Sequence, residues 1–246
     1  MQRSFEHIFS CIEREKQEAE ANGSEIKFLI KSSYLEIYNE QVMDLLDPSA
    51  QNLHVREDIK TGVYVEGLLE EPISSVKDMI QLISRGSRNR HVGSTSMNKE
   101  SSRSHSVLTT IIESKTMAAS GVWQMKSSCF HIIDLAGSER SKHTHAEGQR
   151  LKEAGMINKS LSALGIVINS LVDISEGKTR HVHYRDSKLT FLLRDSLGGN
   201  SKTVIIANIT QAQVSMAETL STLSFAQRAK LIKNKAVINE ESSGTI

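Results

Sequence analysis

The chain has 246 residues, 38% hydrophobic and 24% charged, which excludes wholesale disorder and fits one large domain or two small ones. Lys+Arg is 30 and Asp+Glu is 29, a net charge of +1, so there is no global field for nucleic acid or an anionic membrane. Any charged partner has to be read by a local patch, and with 2 prolines against 14 glycines a proline-rich or collagen-like chain is excluded.

In chain order, Ser4 to about Ala21 carries Phe5, Ile8, Phe9 and Ile12 on one face, which predicts a helix stopped by Asn22-Gly23. Phe28 to Tyr38 is β-branched and aromatic enough for a buried strand, and Pro48 breaks the segment beyond it. Val55 to Leu68, with Gly62 and Gly67 flanking VYVE, reads as a hairpin. Ser74-Ser75 caps a helix through about Arg90. Ser106 to Glu113 and Ser128 to Asp134 are expected strands. Leu151 to about Val172 places Leu151, Ala154, Ile157, Leu161, Leu164, Ile168 and Leu171 at spacings of three and four, the clearest helix in the chain. A shorter helix is expected over Ser187 to Leu197, stopped by Gly198-Gly199, then a strand over Val204 to Ile209, a last helix over Ala217 to Lys233, and a frayed tail at Ser242-Ser243-Gly244. Alternating strands and helices with no linker-like gap predict an α/β domain.

Cys11 and Cys129 form neither a disulfide framework nor a metal-ligand spacing, and reduced thiols fit a cytoplasmic setting. No apolar run reaches the about 18 residues of a membrane span, and MQRSFEHIFS lacks a signal-peptide core. Scattered histidines such as His143 and His145 read as loop residues, and Met43, Met79 and Met97 as core gap-fillers.

Two segments carry chemistry. Asn98-Lys-Glu-Ser-Ser-Arg-Ser-His105 crowds three hydroxyls and a guanidinium into Ser101 to Ser104, groups that ligate Mg²⁺ or grip phosphate. Alone, it reads more readily as a solvated serine-rich turn. Phe130-His-Ile-Ile-Asp134-Leu-Ala-Gly137-Ser-Glu139 ends an apolar strand in a carboxylate, where α/β sheets bind ligands. Gly137 lets its backbone N–H approach a phosphate, although an Asp capping a turn fits the same residues.

Together, NKESSRSH and DLAGSE closely resemble switch I and switch II of the kinesin motor family. SYLEIYNEQVMDLLDPS (33–49) resembles the family's fourth main strand and its exit, and LKEAGMINKSLSALGIVINSL (151–171) its relay helix. HVHYRDSKLTFLLRDSLGGNSKT (181–203) is similar to the microtubule-facing loop and helix, and ETLSTLSFAQRAKLIKNKAVINE (218–240) to the last motor helix and the start of the neck linker. HAEGQRLKEAG and FAQRAKLIKNKAV look most like the mitotic, plus-end-directed twelfth subfamily.

The resemblance implies a kinesin-type P-loop NTPase fold, a central mixed sheet flanked by helices, without the N-terminal strands and P-loop. It implies a partial motor domain over 1–233 and a neck-linker start and tail over 234–246. It implies a microtubule-stimulated ATPase using ATP and Mg²⁺. Asn98, Ser101, Ser102, Asp134 and Gly137 would bind nucleotide, with Ser102 and Asp134 on the metal. Ser101 and Gly137 would face the γ-phosphate, and Arg103 and Glu139 would form the salt bridge that lines up the attacking water. Lys142, His181, Arg185 and Lys188 would bind tubulin. The implied setting is cytoplasmic, on microtubules or the spindle, with no nucleic acid or membrane partner and homo-oligomerisation through regions outside this chain. His183 stands where the family usually has proline, and Phe191 where a basic residue is frequent.

The P-loop pattern G-x-x-x-x-G-K-[ST] does not occur in these residues; Gly199-Asn200-Ser201-Lys202-Thr203 lacks the first glycine at the required offset. The chain is therefore expected to start in the helix after the P-loop helix, and the strand at 204–209 to expose both edges. Lys178 to Lys202 holds six basic residues against two acidic ones, a local +4, and Arg140, Lys142, Arg150 and Lys152 form a second basic cluster. Solvated helix faces explain many such runs, whereas the resemblance assigns these to acidic tubulin. Two other readings stay open: a microtubule-binding module without turnover, and a fragment that does not fold.

Overall fold

The computed structural model describes residues 1–59, 62–96, 103–117, 122–138 and 149–243. Helix α1 (Gln2–Ala21) ends at Asn22, and Gly23 supplies the positive φ of 68° that turns the chain. Strand β1 (Ile26–Tyr38) runs into β2 (Gln41–Asp44) through Asn39 and Glu40, both at positive φ, the two-residue turn whose twist matches a hairpin. Strands β3 (Val55–Asp58) and β4 (Gly62–Val65) form a separate two-stranded sheet, and the short β5 (Glu71–Pro72) pairs with β1. Helix α2 (Val76–Ser96) starts with Ser75 Oγ accepting from the Asp78 amide and the Asp78 carboxylate accepting from the Ser74 amide. Then come β6 (His105–Met117), β7 (Trp123–Asp134), α3 (Gln149–Ser175), α4 (Lys188–Leu192), α5 (Met216–Ala229) and β8 (Asn239–Ser243).

The main sheet runs β2-β1-β6-β7-β8. Every strand pairing among the described residues is antiparallel. Alternation along β1 divides the core. Ile30 and Tyr34 face Phe5 and Ile12 of α1 and Met79 and Leu82 of α2. Leu35 and Ile37 face Leu164, Val167 and Ile168 of α3 and Leu189 of α4. Cross-strand partners keep these faces: Leu108 lies opposite Tyr34, and Val107 opposite Leu35. Helices thus cover both faces of the sheet, and the α/β expectation holds.

Several boundaries differ from the sequence reading. Strands β6 and β7 extend to Met117 and back to Trp123, because main-chain ladders continue through polar residues such as Glu113, Lys115, Gln124 and Lys126. The helix expected over Ser187 to Leu197 is α-helical only over Lys188–Leu192 and continues as turns to Gly198. Val204 to Ile209 is not a strand: it has the β-branched composition, yet no described strand pairs with it, and Val204 is 87% exposed. The expected frayed tail is instead strand β8 as far as Ser243, laid along the Trp123–Ser127 end of β7, with Asn239 Nδ2 donating to the Ser127 carbonyl at 3.3 Å.

Helix α2 approaches the sheet closely at Gly86, where an added Cβ would overlap the Tyr34 ring. Gly86→Ala should therefore destabilise the chain by about 1–3 kcal/mol despite its better helix propensity, read as a lower midpoint in urea unfolding.

Candidate functional site

The register of β6 on β7 builds the site. Ser106 lies opposite Asp134, so the residues entering β6 stand beside those leaving β7. Arg90, toward the C-terminal end of α2, reaches into this junction with its side chain only 12% exposed. Its Nη1 donates to Asp134 Oδ2 at 2.9 Å and to Ser106 Oγ at 3.2 Å. Its Nη2 donates to the Ser104 carbonyl at 3.0 Å and to Ser104 Oγ at 3.2 Å. On the inner side, Nε lies 3.5 Å from Glu36 Oε1, whose side chain is 9% exposed, in the middle of β1. One guanidinium therefore ties together β1, the entrance to β6 and the exit of β7, using the fixed planar fork that lysine lacks.

His105 supplies the second tie. It is 2% exposed. Its Nδ1 accepts the Ala136 backbone N–H at 2.9 Å, so the proton sits on Nε2, which donates to Ser160 Oγ of α3 at 2.7 Å. Burial, reinforced by the neighbouring Arg90 charge and opposed by Asp134, pushes its pKa down to about 4. The imidazole is thus neutral at physiological pH.

Asp134 is the expected residue that the structure displays best. Its side chain is 68% exposed at the end of β7, with Oδ2 anchored by Arg90. A hard oxygen donor held at a strand end and open to solvent suits a hydrated divalent cation, so the chemistry of this position fits the Mg²⁺ expected there. Gly137 follows Ala136 in the same extended segment, and next to it a shallow cavity of about 300 Å³ is lined by Ser138, Asn208, Thr210, Ser215, Glu218 and Thr219. Arg103 lies just before the β6 entrance. Asn98, Ser101, Ser102, Glu139 and Lys142 fall outside the described residues, and with Glu139 the expected Arg103–Glu139 bridge does too.

Of the expected track residues, His181 and Arg185 lie between α3 and α4, and Lys188 is the first residue of α4. The Arg185 guanidinium stacks over Phe191 at 5.1 Å and donates to Glu57 Oε2 at 2.8 Å, while Arg194 grips Glu57 Oε1. These two guanidinium hydrogen bonds hold the Glu57 carboxyl below its usual range. Lys178 and Arg180 pair with Asp173, and Lys178 also with Glu176. The local +4 is therefore partly offset by three neighbouring carboxylates. The Lys188 amide and Ser187 hydroxyl donate to Glu40 in the β1–β2 turn, fixing the start of α4. His181 and His183 form an edge-to-face pair with centroids 4.7 Å apart.

Arg90, Glu36, Glu57 and the role of His105 were not found by sequence reasoning. Glu36 left a signal: an ionised residue inside a buried apolar strand needs a cationic partner. Arg90 left none, being one of several arginines on a polar helix end.

A family model described as kinesin motor domain matches residues 1–232. The chain belongs to this family. Kinesin-like protein KIF15 of Rattus norvegicus is 59% identical over 244 residues, covering 99% of this chain and 17% of that protein. Kinesin-like protein KIN-12E of Arabidopsis thaliana is 57% identical over 244 residues, covering 99% of this chain and 19% of that protein. Both belong to the kinesin-12 subfamily, in line with the expectation from HAEGQRLKEAG and FAQRAKLIKNKAV. Among solved structures, that of a fast kinesin has a TM-score of 0.79 and 51% identity, covering 88% of this chain and 59% of the other. A KIF14 dimer with AMP-PNP in complex with a microtubule has a TM-score of 0.85 and 40% identity, covering 97% of this chain and 66% of the other. The chain spans about a sixth of the length of the KIF15 relative.

The depressed pKa of His105 gives a signed pH dependence. An unfolded histidine takes up its proton near its ordinary value of 6.5, whereas the folded one does so only at about 4. Stability from this group is full above 6.5 and falls as pH drops towards 4, by about 3 kcal/mol in all. Urea unfolding at stepped pH should show this slope, and His105→Asn should flatten it.

Proposed function

We propose that this chain is the switch-bearing and track-binding part of an ATP-driven microtubule motor. The observation that carries the reading is the meeting of the two expected switch segments: Ala136 on His105, and Asp134 and Ser104 on Arg90. A γ-phosphate at Gly137 would be felt at a peptide already tied to β6 and α3. Ser101, Ser102 and Asn98 would contribute from the other segment, and Arg103 with Glu139 would close the two over an attacking water. Ser102 and Asp134 would hold Mg²⁺, which supplies charge neutralisation at the phosphates. The reaction would be in-line phosphoanhydride hydrolysis with no covalent intermediate. Redistributing a two-state switch from 1:99 to 99:1 takes about 5.5 kcal/mol of differential binding, within reach of a few charge-assisted contacts.

The track face is assigned to Lys142, His181, Arg185 and Lys188. The KIF14 neighbour is bound to a microtubule and AMP-PNP, which supports tubulin as partner and ATP as ligand here. Residues 1–233 form the motor part and 234–246 the start of the neck linker. This division is supported by Asn234, whose amide donates to the Ser196 and Ser201 carbonyls at the junction. Movement along spindle or cytoplasmic microtubules, towards the plus end, and self-association through other regions complete the reading.

Arg185→Glu with Lys188→Glu should abolish co-sedimentation with microtubules. Arg185 is exposed and Lys188 half-buried, so the variant should still melt cooperatively, at a somewhat lower temperature because Arg185→Glu sets a carboxylate against Glu57. Binding of the unmodified chain should weaken as salt rises, since exposed charges are screened over about 8 Å at physiological ionic strength.

The pattern G-x-x-x-x-G-K-[ST] does not occur in these 246 residues, so they do not themselves supply that loop's phosphate grip. The backbone cradle of that loop supplies much of the phosphate grip in such sites. Calorimetry should accordingly find ATP binding to the chain weaker than micromolar; micromolar affinity would favour the catalytic reading.

A further inference from the structure

We propose that His105 is a positioning residue that links the peptide preceding Gly137 to helix α3, so that displacement at either end is felt at the other. The proposal rests on the motor reading above and names the atoms of the link. One imidazole makes two hydrogen bonds to two different elements: Ala136 N–H to Nδ1 at 2.9 Å, and Nε2–H to Ser160 Oγ at 2.7 Å. All three residues are buried, at 2% for His105, 5% for Ala136 and 3% for Ser160. Water therefore does not stand ready to replace either partner, and breaking one bond takes its partner from a buried ring nitrogen of His105.

The ring is rigid, and its backbone is fixed as the first residue of β6, opposite Ile37 of β1. It cannot follow a moving Ala136 without changing its geometry to Ser160. Ser160 lies on the same helix as Leu164, Val167 and Ile168, whose side chains pack against Leu189 and Leu193 below the proposed track face. A path of direct contacts thus runs from the peptide beside Gly137, through one side chain, to the helix that supports the tubulin-facing segment. The ring holds both partners in one arrangement, so a shift of either one strains or breaks the bond to the other.

Amide hydrogen exchange on the full chain, with and without microtubules, tests the link without requiring nucleotide. Ser160→Ala should speed exchange of the Ala136 amide by about tenfold without microtubules, and Ser160→Thr, which keeps the hydroxyl, should restore it. Microtubules should slow Ala136 exchange in the unmodified chain but not in Ser160→Ala, although that variant still pellets with microtubules. Unchanged Ala136 exchange in free Ser160→Ala, or equal slowing of both chains on microtubules, overturns the link. Pelleting of the unmodified chain with no slowing at Ala136 also overturns it, while leaving the track assignment standing. Failure of the unmodified chain to pellet overturns the motor reading instead, and the arm without microtubules then still decides whether the His105 link exists.

Discussion

The geometry of the site depends on a buried guanidinium held between two carboxylates. Arg90 sits between Glu36, deep in β1, and Asp134, at the solvent-facing end of β7. Removing a cation from such a place leaves a buried carboxylate uncompensated, which typically costs 3–5 kcal/mol, about half the stability of an ordinary domain. Glu36 is therefore not a weak point in an apolar strand. It anchors the arginine that sets the position of the ends of β6 and β7, and through Ser104 and Ser106 of the whole entrance to β6.

From that anchor the site extends in two directions. Outward, Asp134 turns its carboxylate to solvent, placed for a hydrated cation. Inward, His105 carries the Ala136 peptide to α3. The division of the core makes both possible, because β1 presents Tyr34 to α2 and Leu35 to α3, so the same strands support the helix that supplies Arg90 and the helix that receives His105. The segment proposed to face the track is held by a different set of carboxylates, Glu40 at the start of α4 and Glu57 under Arg185 and Arg194.

Much of this could be read from the sequence, and the remainder divides by physical cause. Periodicity located α1 and α3, the Ser74-Ser75 cap located α2, and the pairing of NKESSRSH with DLAGSE located the site and the family. The polar halves of β6 and β7 escaped notice because a ladder is held by main-chain groups and runs past the point where side chains stop alternating. Val204 to Ile209 misled for the opposite reason: composition favours a strand, but a strand exists only against a neighbour. The tail that pairs as β8 looked frayed because its serines carry no apolar pattern. Ion pairs such as Arg90–Asp134, 44 positions apart, and Arg185–Glu57, 128 apart, follow from topology and have no spacing to find. The roles of Ser101, Ser102 and Glu139 belong to residues outside those described.

The pairing of β8 with β7 has a consequence for how the molecule behaves among its neighbours. Among the described residues, β8 covers only Trp123–Ser127, so the outer rim of Ser128–Asp134 keeps main-chain donors and acceptors without a ladder. The β-branched Val204–Ile209 stretch likewise pairs with no described strand. Both are templates onto which a foreign strand can zip. An open rim of this kind favours edge-to-edge pairing unless another strand occupies it first.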